Sequence, residues 1–349
     1  MVYFKSDYMC GAVPEIMESL VRTNMECTSG YGSDPYCEAA REAVLKACGL
    51  EDGLVKFVIG GTEANSVVID GLLGKCQSVL AAETSHINVH EAGTIEAFGH
   101  KVLTLPTADG KIQAEDIDRY VTDFFADETW EHMVEPGMVY ISFPTELGTL
   151  YSRKELEDIH AVCRRHQIPL YIDGARLGYG LASPKCDVTL PDIARLADIF
   201  YIGGTKQGAL FGEAIVSRHP DIIPRILSLI KQHGALLAKG RLLGLQFLTL
   251  FTDGCYMRYS QWAIVHAMEL RRVMTENGFP LFADSPTNQQ FFVLPNTVID
   301  RLAESVQFEY WGPRGPESTP VRFVTSWATS DADIATLAKT IRELRQTNK

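Results

Sequence analysis

Basic residues are in short supply: 32 Lys and Arg against 44 Asp and Glu leave a net charge of −12. Phosphate backbones are bound by concentrated cations, so this balance argues against a nucleic-acid partner and leaves room only for a local basic pocket. Long apolar runs are missing too. No stretch approaches the ~18 uninterrupted apolar residues of a membrane span. The opening MVYFKSDYMCGAVPEI lacks a basic head followed by an apolar core, so a cytoplasmic protein is expected. Cysteine occurs eight times, at 10, 27, 37, 48, 76, 163, 186 and 255. It never falls in a CxxC pair or at metal-knuckle spacing, which argues against a disulfide framework or structural zinc and for reduced, buried small hydrophobes. Internal repeats and low-complexity tracts are absent, and 46% hydrophobic with 22% charged residues is an ordinary globular composition. The 349 residues exceed one ordinary domain, so a large and a smaller domain are expected.

What is present is a rhythm. Short apolar runs stand at 54–59, 77–82, 101–105, 138–143, 169–173, 198–203 and 213–217. Amphipathic stretches such as ANSVVIDGLLGKC, AEDIDRYVTDFFA, RKELEDIHAVCRRHQ and LPDIARLA separate them. Alternation of this kind predicts an α/β fold, a largely parallel seven-stranded sheet covered by helices on both faces. From about 221 to 275 the pattern turns helical. NQQFFVLP, RFVTSW and the amphipathic DADIATLAKTIRELRQT then predict a small α+β domain, which divides the chain into 1–252 and 253–349.

Ligands collect at the carboxyl ends of strands in such sheets. After LVKFVI comes GGTEAN, where Gly60 and Gly61 allow close backbone approach and Thr62 offers a hydroxyl at a helix start. This is a phosphate cradle, or else a plain Gly turn with a Thr cap. Neither GxGxxG nor GxxxxGK[ST] is there to decide it. After QSVLAAE, His86 and His90 stand i, i+4 with Glu91 beside them. HExxH and HxxEH are both absent, so a metal site competes with a hydrogen-bonded helix-end pair and with an imidazole stacked on a planar cofactor. After PLYI, Asp173 and Arg176 are either an ion pair that orders a loop, or an acceptor for a protonated ring nitrogen beside a fork for a carboxylate. After DIFYIGGT, Lys206 is a lone amine at the end of a buried strand. Desolvation would lower its pKa, and a neutral amine attacks aldehydes. A phosphate cradle, a flat ring, an acceptor for a pyridine nitrogen and an amine for an aldehyde together describe pyridoxal 5′-phosphate.

The segments SDYMCGAVPEIMESL, GYGSDPY, GGTEAN, SHINVHEAG, DGARL, GGTKQGALFGEAIV and VRFVTSWATSDADI resemble the threonine aldolase and β-eliminating lyase group of fold-type I pyridoxal-phosphate enzymes, over nearly the whole chain. The resemblance implies that Lys206 holds the cofactor aldehyde, that Asp173 keeps the ring nitrogen protonated, and that His86 stacks on the ring. It implies Gly61, Thr62 and Lys231 for the phosphate, Ser6, Arg176 and Arg322 for the substrate carboxylate, and Tyr31 lining the site. The implied reaction is retro-aldol cleavage of a β-hydroxy-α-amino acid to glycine and an aldehyde, in a homodimer or homotetramer that shares its sites between subunits.

Two departures mark a divergent branch. Where better-known aldolases read something like ENTHNRSGG, this chain has FPTELGTLYS, with Glu146 in place of the second histidine. Their GGGMRQAG arginine is missing from HGALLAKGRL, where Ala238 gives the best match. The base can be His86, His90 or Glu146, directly or through water. Rival readings are β-elimination or transamination on the same cofactor, a non-catalytic pyridoxal-phosphate-binding protein, and a metallohydrolase built on the two histidines.

Overall fold

In the computed structural model, which describes residues 1–347, the seven apolar runs form one sheet. Its strands are β1 (Leu54–Val58), β2 (Gln77–Ala82), β3 (Lys101–Leu105), β4 (Glu135–Ser142), β5 (Leu170–Asp173), β6 (Ile199–Gly203) and β7 (Glu213–Ser217). The spatial order is β1-β7-β6-β5-β4-β2-β3. Only β7 runs antiparallel to its neighbours. Both faces are buried because side chains alternate across each strand. Leu80, Val139, Ile141, Ile172, Phe200 and Val216 enter one core, while Val79, Met138, Tyr140, Tyr171, Tyr201 and Ile215 enter the other. Each large side chain withdrawn from water in this way stabilises the fold by about 1.5–3 kcal/mol.

β4 starts three residues before the expected run, since Pro136 and Gly137 read as breakers in the sequence. A register shift in β2 resolves this: Ser78 pairs with Pro136 and Val79 with Met138, so Gly137 is absorbed as the extra residue. The covering helices start where the sequence signals them. Ser152 and Glu155 form a reciprocal cap for Arg153–His166, as Thr189 and Asp192 do for Leu190–Leu196.

The carboxyl ends of β1, β2, β4, β5 and β6 share one edge of the sheet, and β7 begins at that edge with Glu213 opposite Val58 and Gly203. Beyond the long helix Cys255–Glu276, β8 (Leu281–Ala283), β9 (Gln289–Pro295), β10 (Glu309–Tyr310) and β11 (Ser318–Val324) form an antiparallel sheet in the order β10-β11-β9-β8. The last of these strands lies earlier than RFVTSW suggests. It stops at Val324; the Thr325 N–H still donates to the Asn288 carbonyl at 3.0 Å, and the Thr325 hydroxyl donates to the Ala263 carbonyl at 2.7 Å.

The first residues join this second sheet's core. Val2–Tyr3 pairs with Val306–Gln307, and Val2 and Phe4 pack beside Phe292 and Phe323. The segment that follows, Lys5 to Tyr8, is thereby delivered to the large sheet's edge. All eight cysteines are free, but Cys10, Cys27 and Cys76 are exposed, which corrects the expectation that all are buried. Among the described residues no helix is long and apolar enough to cross a membrane.

Candidate active site

A cavity of about 330 Å³ opens at the shared strand edge, lined by Gly60, Gly61, Thr62, His86, Glu146, Asp173, Arg176, Tyr201, Thr205, Lys206 and Glu213 among others. Five separate strand–loop junctions therefore converge on one space.

Lys206 follows β6 through a short 3-10 turn, Thr205–Gln207. Tyr179 Oη donates to its backbone carbonyl at 2.5 Å and pins the turn. Among the described residues its Nζ has no hydrogen bond or ion pair, and it faces the cavity. Burial is the main cause pushing the amine below its usual value, and the Arg176 guanidinium adds to it; Asp7, Asp173 and Glu213 oppose. The desolvation expected from sequence is present.

Asp173 closes β5 and is only 5% exposed. Tyr140 and Tyr201 hydroxyls donate to it at 2.6 and 2.5 Å, Asn65 Nδ2 at 3.1 Å and the Ala175 backbone N–H at 2.9 Å. Four donors thus fix the position of this carboxylate at the strand end. Asn65 Nδ2 also donates to Glu91 Oε1 at 2.7 Å, and His86 Nδ1 lies 2.7 Å from the same oxygen. A buried chain thus runs from Asp173 through Asn65 and Glu91 to His86. It fixes the imidazole with Nδ1 toward Glu91. His90 is less involved: its ring centre is 5.7 Å from that of His86, it is exposed, and it does not line the cavity.

The helix Gly61–Leu72 begins at the cavity with no side-chain cap. Its first N–H groups are therefore available to an anion, and the helix dipole favours one. A Cβ at Gly61 would lie 3.0 Å from Tyr201 Oη, so a larger residue there would press on that hydroxyl. Glu146 occupies the opposite wall. Its Oε1 accepts from the His86 N–H at 2.9 Å and from Ser142 Oγ at 2.7 Å, and burial pushes its carboxyl above the usual range.

The arginines differ from the sequence picture. Arg176 pairs with Asp7, not Asp173: its Nε and Nη2 donate to the two Asp7 oxygens at 2.7 and 3.1 Å, and Asn288 Nδ2 donates to Asp7 as well. Burial disfavours the Asp7 charge, but Arg176 and Lys206 outweigh it and hold the carboxyl below its ordinary value. Arg322, on β11, donates to Glu309 and to Gln289 Oε1, the latter at 2.7 Å, and stands over the Trp311 ring. It does not line the cavity, but its positive charge is felt by His90. Ser6 is buried next to Asp7 without lining the cavity, whereas Tyr8 does line it.

A model of the family described as beta-eliminating lyase matches residues 4–294. The chain belongs to the beta-eliminating lyase family. It is 30% identical to the low-specificity L-threonine aldolase of Pseudomonas aeruginosa over 347 residues, 97% of this chain and 96% of that one. A Pseudomonas sp. enzyme of the same description is 29% identical, again over 97% and 96%. The solved threonine aldolase of Leishmania major superposes with a TM-score of 0.95 at 39% identity, covering 99% of each chain. The fold is that of fold-type I pyridoxal-phosphate enzymes, and the beta-eliminating lyase family works with this cofactor.

Of the residues that the family resemblance assigns to the site, Ser6, Arg322, Tyr31 and Lys231 do not line this cavity within a single chain. Lys231 Nζ sits 4.9 Å over the Tyr31 ring, both side chains are exposed, and neither lines the cavity. The sequence reading also missed Asp7, Asn65, Glu91, Tyr140, Tyr201 and Glu213 as partners of the site. Asn65 lies in the quoted GGTEAN and Glu91 in SHINVHEAG, so both were in view without a stated role. The tyrosines, inside apolar strands, gave no such signal.

Proposed function

We propose that this member of the beta-eliminating lyase family cleaves a β-hydroxy-α-amino acid at Cα–Cβ to glycine and an aldehyde, with pyridoxal 5′-phosphate. The observation that carries the reading is Lys206: a half-buried amine without a hydrogen-bond partner among the described residues, in one cavity with a multiply bonded carboxylate and an uncapped helix start. These residues fit the cofactor. Gly61 and Thr62 would receive the phosphate, Asp173 the ring nitrogen, His86 the ring face and Lys206 the aldehyde. When bound, the cofactor supplies the electron sink for cleavage at Cα.

The chain's own groups do the rest. The lowered Lys206 pKa keeps more of its Nζ unprotonated, and Asp173 holds a proton at the ring nitrogen through its charge. Glu146 is the base: its Oε1 is occupied by two donors, and its carboxyl lines the cavity where a substrate hydroxyl would lose its proton. A base must be ionised, so cleavage should fall as pH drops through the raised Glu146 pKa. Glu146→Gln keeps the shape without accepting the proton. We expect a loss of about 100-fold in kcat and disappearance of that acid limb, while the cofactor's absorbance is unchanged; near-wild-type glycine release from the variant would rule Glu146 out as base. Because this wall differs from the better-known aldolases, threonine should turn over slowly and another β-hydroxy amino acid should be preferred.

Arg176 and Arg322 serve the substrate carboxylate, with Ser6 nearby. Arg322 is the cleaner probe, since removing Arg176 would strand the buried Asp7 charge at a cost of about 3–5 kcal/mol in stability. Arg322→Ala should weaken amino-acid binding at least about tenfold, the worth of one charge-assisted contact. Cofactor retention, read by absorbance after gel filtration, should not change. Release of the cofactor would overturn the placement.

The chain acts as a homodimer or a homotetramer, with Tyr31 and Lys231 serving the neighbouring subunit's phosphate site. Their exposure beside one another, away from their own cavity, supports this, as do the exposed Met17, Val21 and Met25 on the helix Pro14–Thr23 and just beyond it. A fully active monomer by light scattering would refute it. The two domains are read as 1–252 and 253–349, with Val2 to Phe4 built into the second.

A further inference from the structure

Glu213 has no part in the reading above, yet it stands in the same cavity. It opens β7, opposite both Val58 at the end of β1 and Gly203 at the end of β6. Val58 leads through Ile59 and Gly60 into the uncapped helix start, and Gly203 leads through Gly204 and Thr205 to Lys206. The carboxyl therefore lies where the anion cradle meets the amine. It is 5% exposed. Its Oε2 accepts from the Gly204 N–H at 2.8 Å. The charged and titratable groups that face it are Lys206 from the turn, Asp173 from β5, Tyr171 and Tyr201 from β5 and β6, and Tyr256 from the long helix. Burial pushes this carboxyl up to about 7; Asp173 reinforces the rise, while Thr205, Gly204 and Lys206 oppose it.

A buried carboxylate beside a phosphate cradle creates a conflict of like charges. Bringing a phosphate dianion into the same low-dielectric space disfavours the ionised form of any carboxyl there. We propose that Glu213 takes up one proton from solvent when a phosphate-bearing cofactor enters the cradle, so that loading of this protein is linked to protonation of that carboxyl. The inference rests on the pyridoxal-phosphate reading and adds a residue to it. One O–H bond forms on a Glu213 oxygen; the proton comes from the buffer acid, whose conjugate base stays in solution, and no electrons are exchanged.

If only the protonated form accepts the ligand, affinity scales with the protonated fraction. With a midpoint at about 7, that fraction falls about tenfold between pH 6 and pH 8. The phosphate's own second ionisation, near pH ~6, acts alike on any variant. The difference between two proteins therefore isolates Glu213.

The test uses the full chain, stripped of cofactor, and pyridoxine 5′-phosphate, whose alcohol cannot be captured by Lys206. Calorimetric titration at pH 6 and pH 8, each in two buffers of different ionisation enthalpy, gives affinity and proton uptake together. At pH 8 wild type should take up close to one proton per site, whereas Glu213→Gln takes up far fewer and binds about tenfold tighter; at pH 6 the affinities should converge. Equal affinity and equal proton uptake in the two proteins would overturn the proposal. So would weaker binding by the variant at both pH values, which would make Glu213 an acceptor for the ligand. Should the variant fail to fold, wild type alone decides, because absence of proton uptake at pH 8 is equally fatal. If wild type binds neither pyridoxine phosphate nor pyridoxal phosphate, the cofactor reading itself fails, a result distinct from any of these.

Discussion

Lys206→Ala is expected to abolish both activity and covalent fixation. Borohydride should attach the cofactor of the wild-type protein permanently to Lys206, identified by the mass of its peptide, and the alanine variant should yield no labelled peptide. Turnover should fall by at least about 1,000-fold, the scale on which a nucleophilic amine contributes. The fold should survive, because Nζ makes no hydrogen bond or ion pair among the described residues and the turn is held through the backbone carbonyl by Tyr179. An unaltered melting temperature would separate lost chemistry from lost structure. Labelling at Lys231 or Lys239 would reject the assignment.

Asp173→Asn has the second largest expected effect. Asparagine is nearly isosteric, but it removes the charge that keeps the ring nitrogen protonated, and its amide would point a donor at hydroxyls that now donate. Loss of such a preorganised charge is worth roughly 3–4 kcal/mol, about 100- to 1,000-fold in kcat. Binding of the cofactor should suffer far less, since the phosphate cradle and Lys206 are untouched. The distinguishing readout is the absorbance of the bound cofactor, which should shift in the variant as the ring nitrogen loses its proton. If kcat and spectrum both stay as in wild type, Asp173 is a structural acceptor for Tyr140 and Tyr201 and nothing more.

Much of this was legible in the sequence because buried parallel strands announce themselves as short apolar runs between amphipathic helices. All seven strands of the large sheet lie where those runs stand. The strand ends were legible for the same reason: glycine, a lone lysine or an aspartate stands out against Val, Ile and Tyr. Partners were harder. Arg176 finds Asp7, some 169 residues away in sequence, and nothing local foretells that. Tyr140 and Tyr201 look like core residues, and they are; only the convergence of β4 and β6 on β5 turns their hydroxyls toward Asp173. Glu213 reads as one polar residue opening an apolar strand. Its significance depends on lying across from both Val58 and Gly203. Lys231 and Tyr31 carry the opposite lesson: a family position can be matched in sequence and still point away from the cavity of its own chain.

Cleavage between Cα and Cβ of a β-hydroxy amino acid is tested most directly by product analysis. The purified chain with pyridoxal 5′-phosphate should be given L-threonine, L-allo-threonine and phenylserine separately, and the products quantified as glycine, aldehyde, ammonia and keto acid. Glycine and aldehyde should appear in equal amounts from at least one of them, without ammonia. Ammonia and a keto acid from an amino acid with a β leaving group, with no glycine from any β-hydroxy substrate, would contradict it.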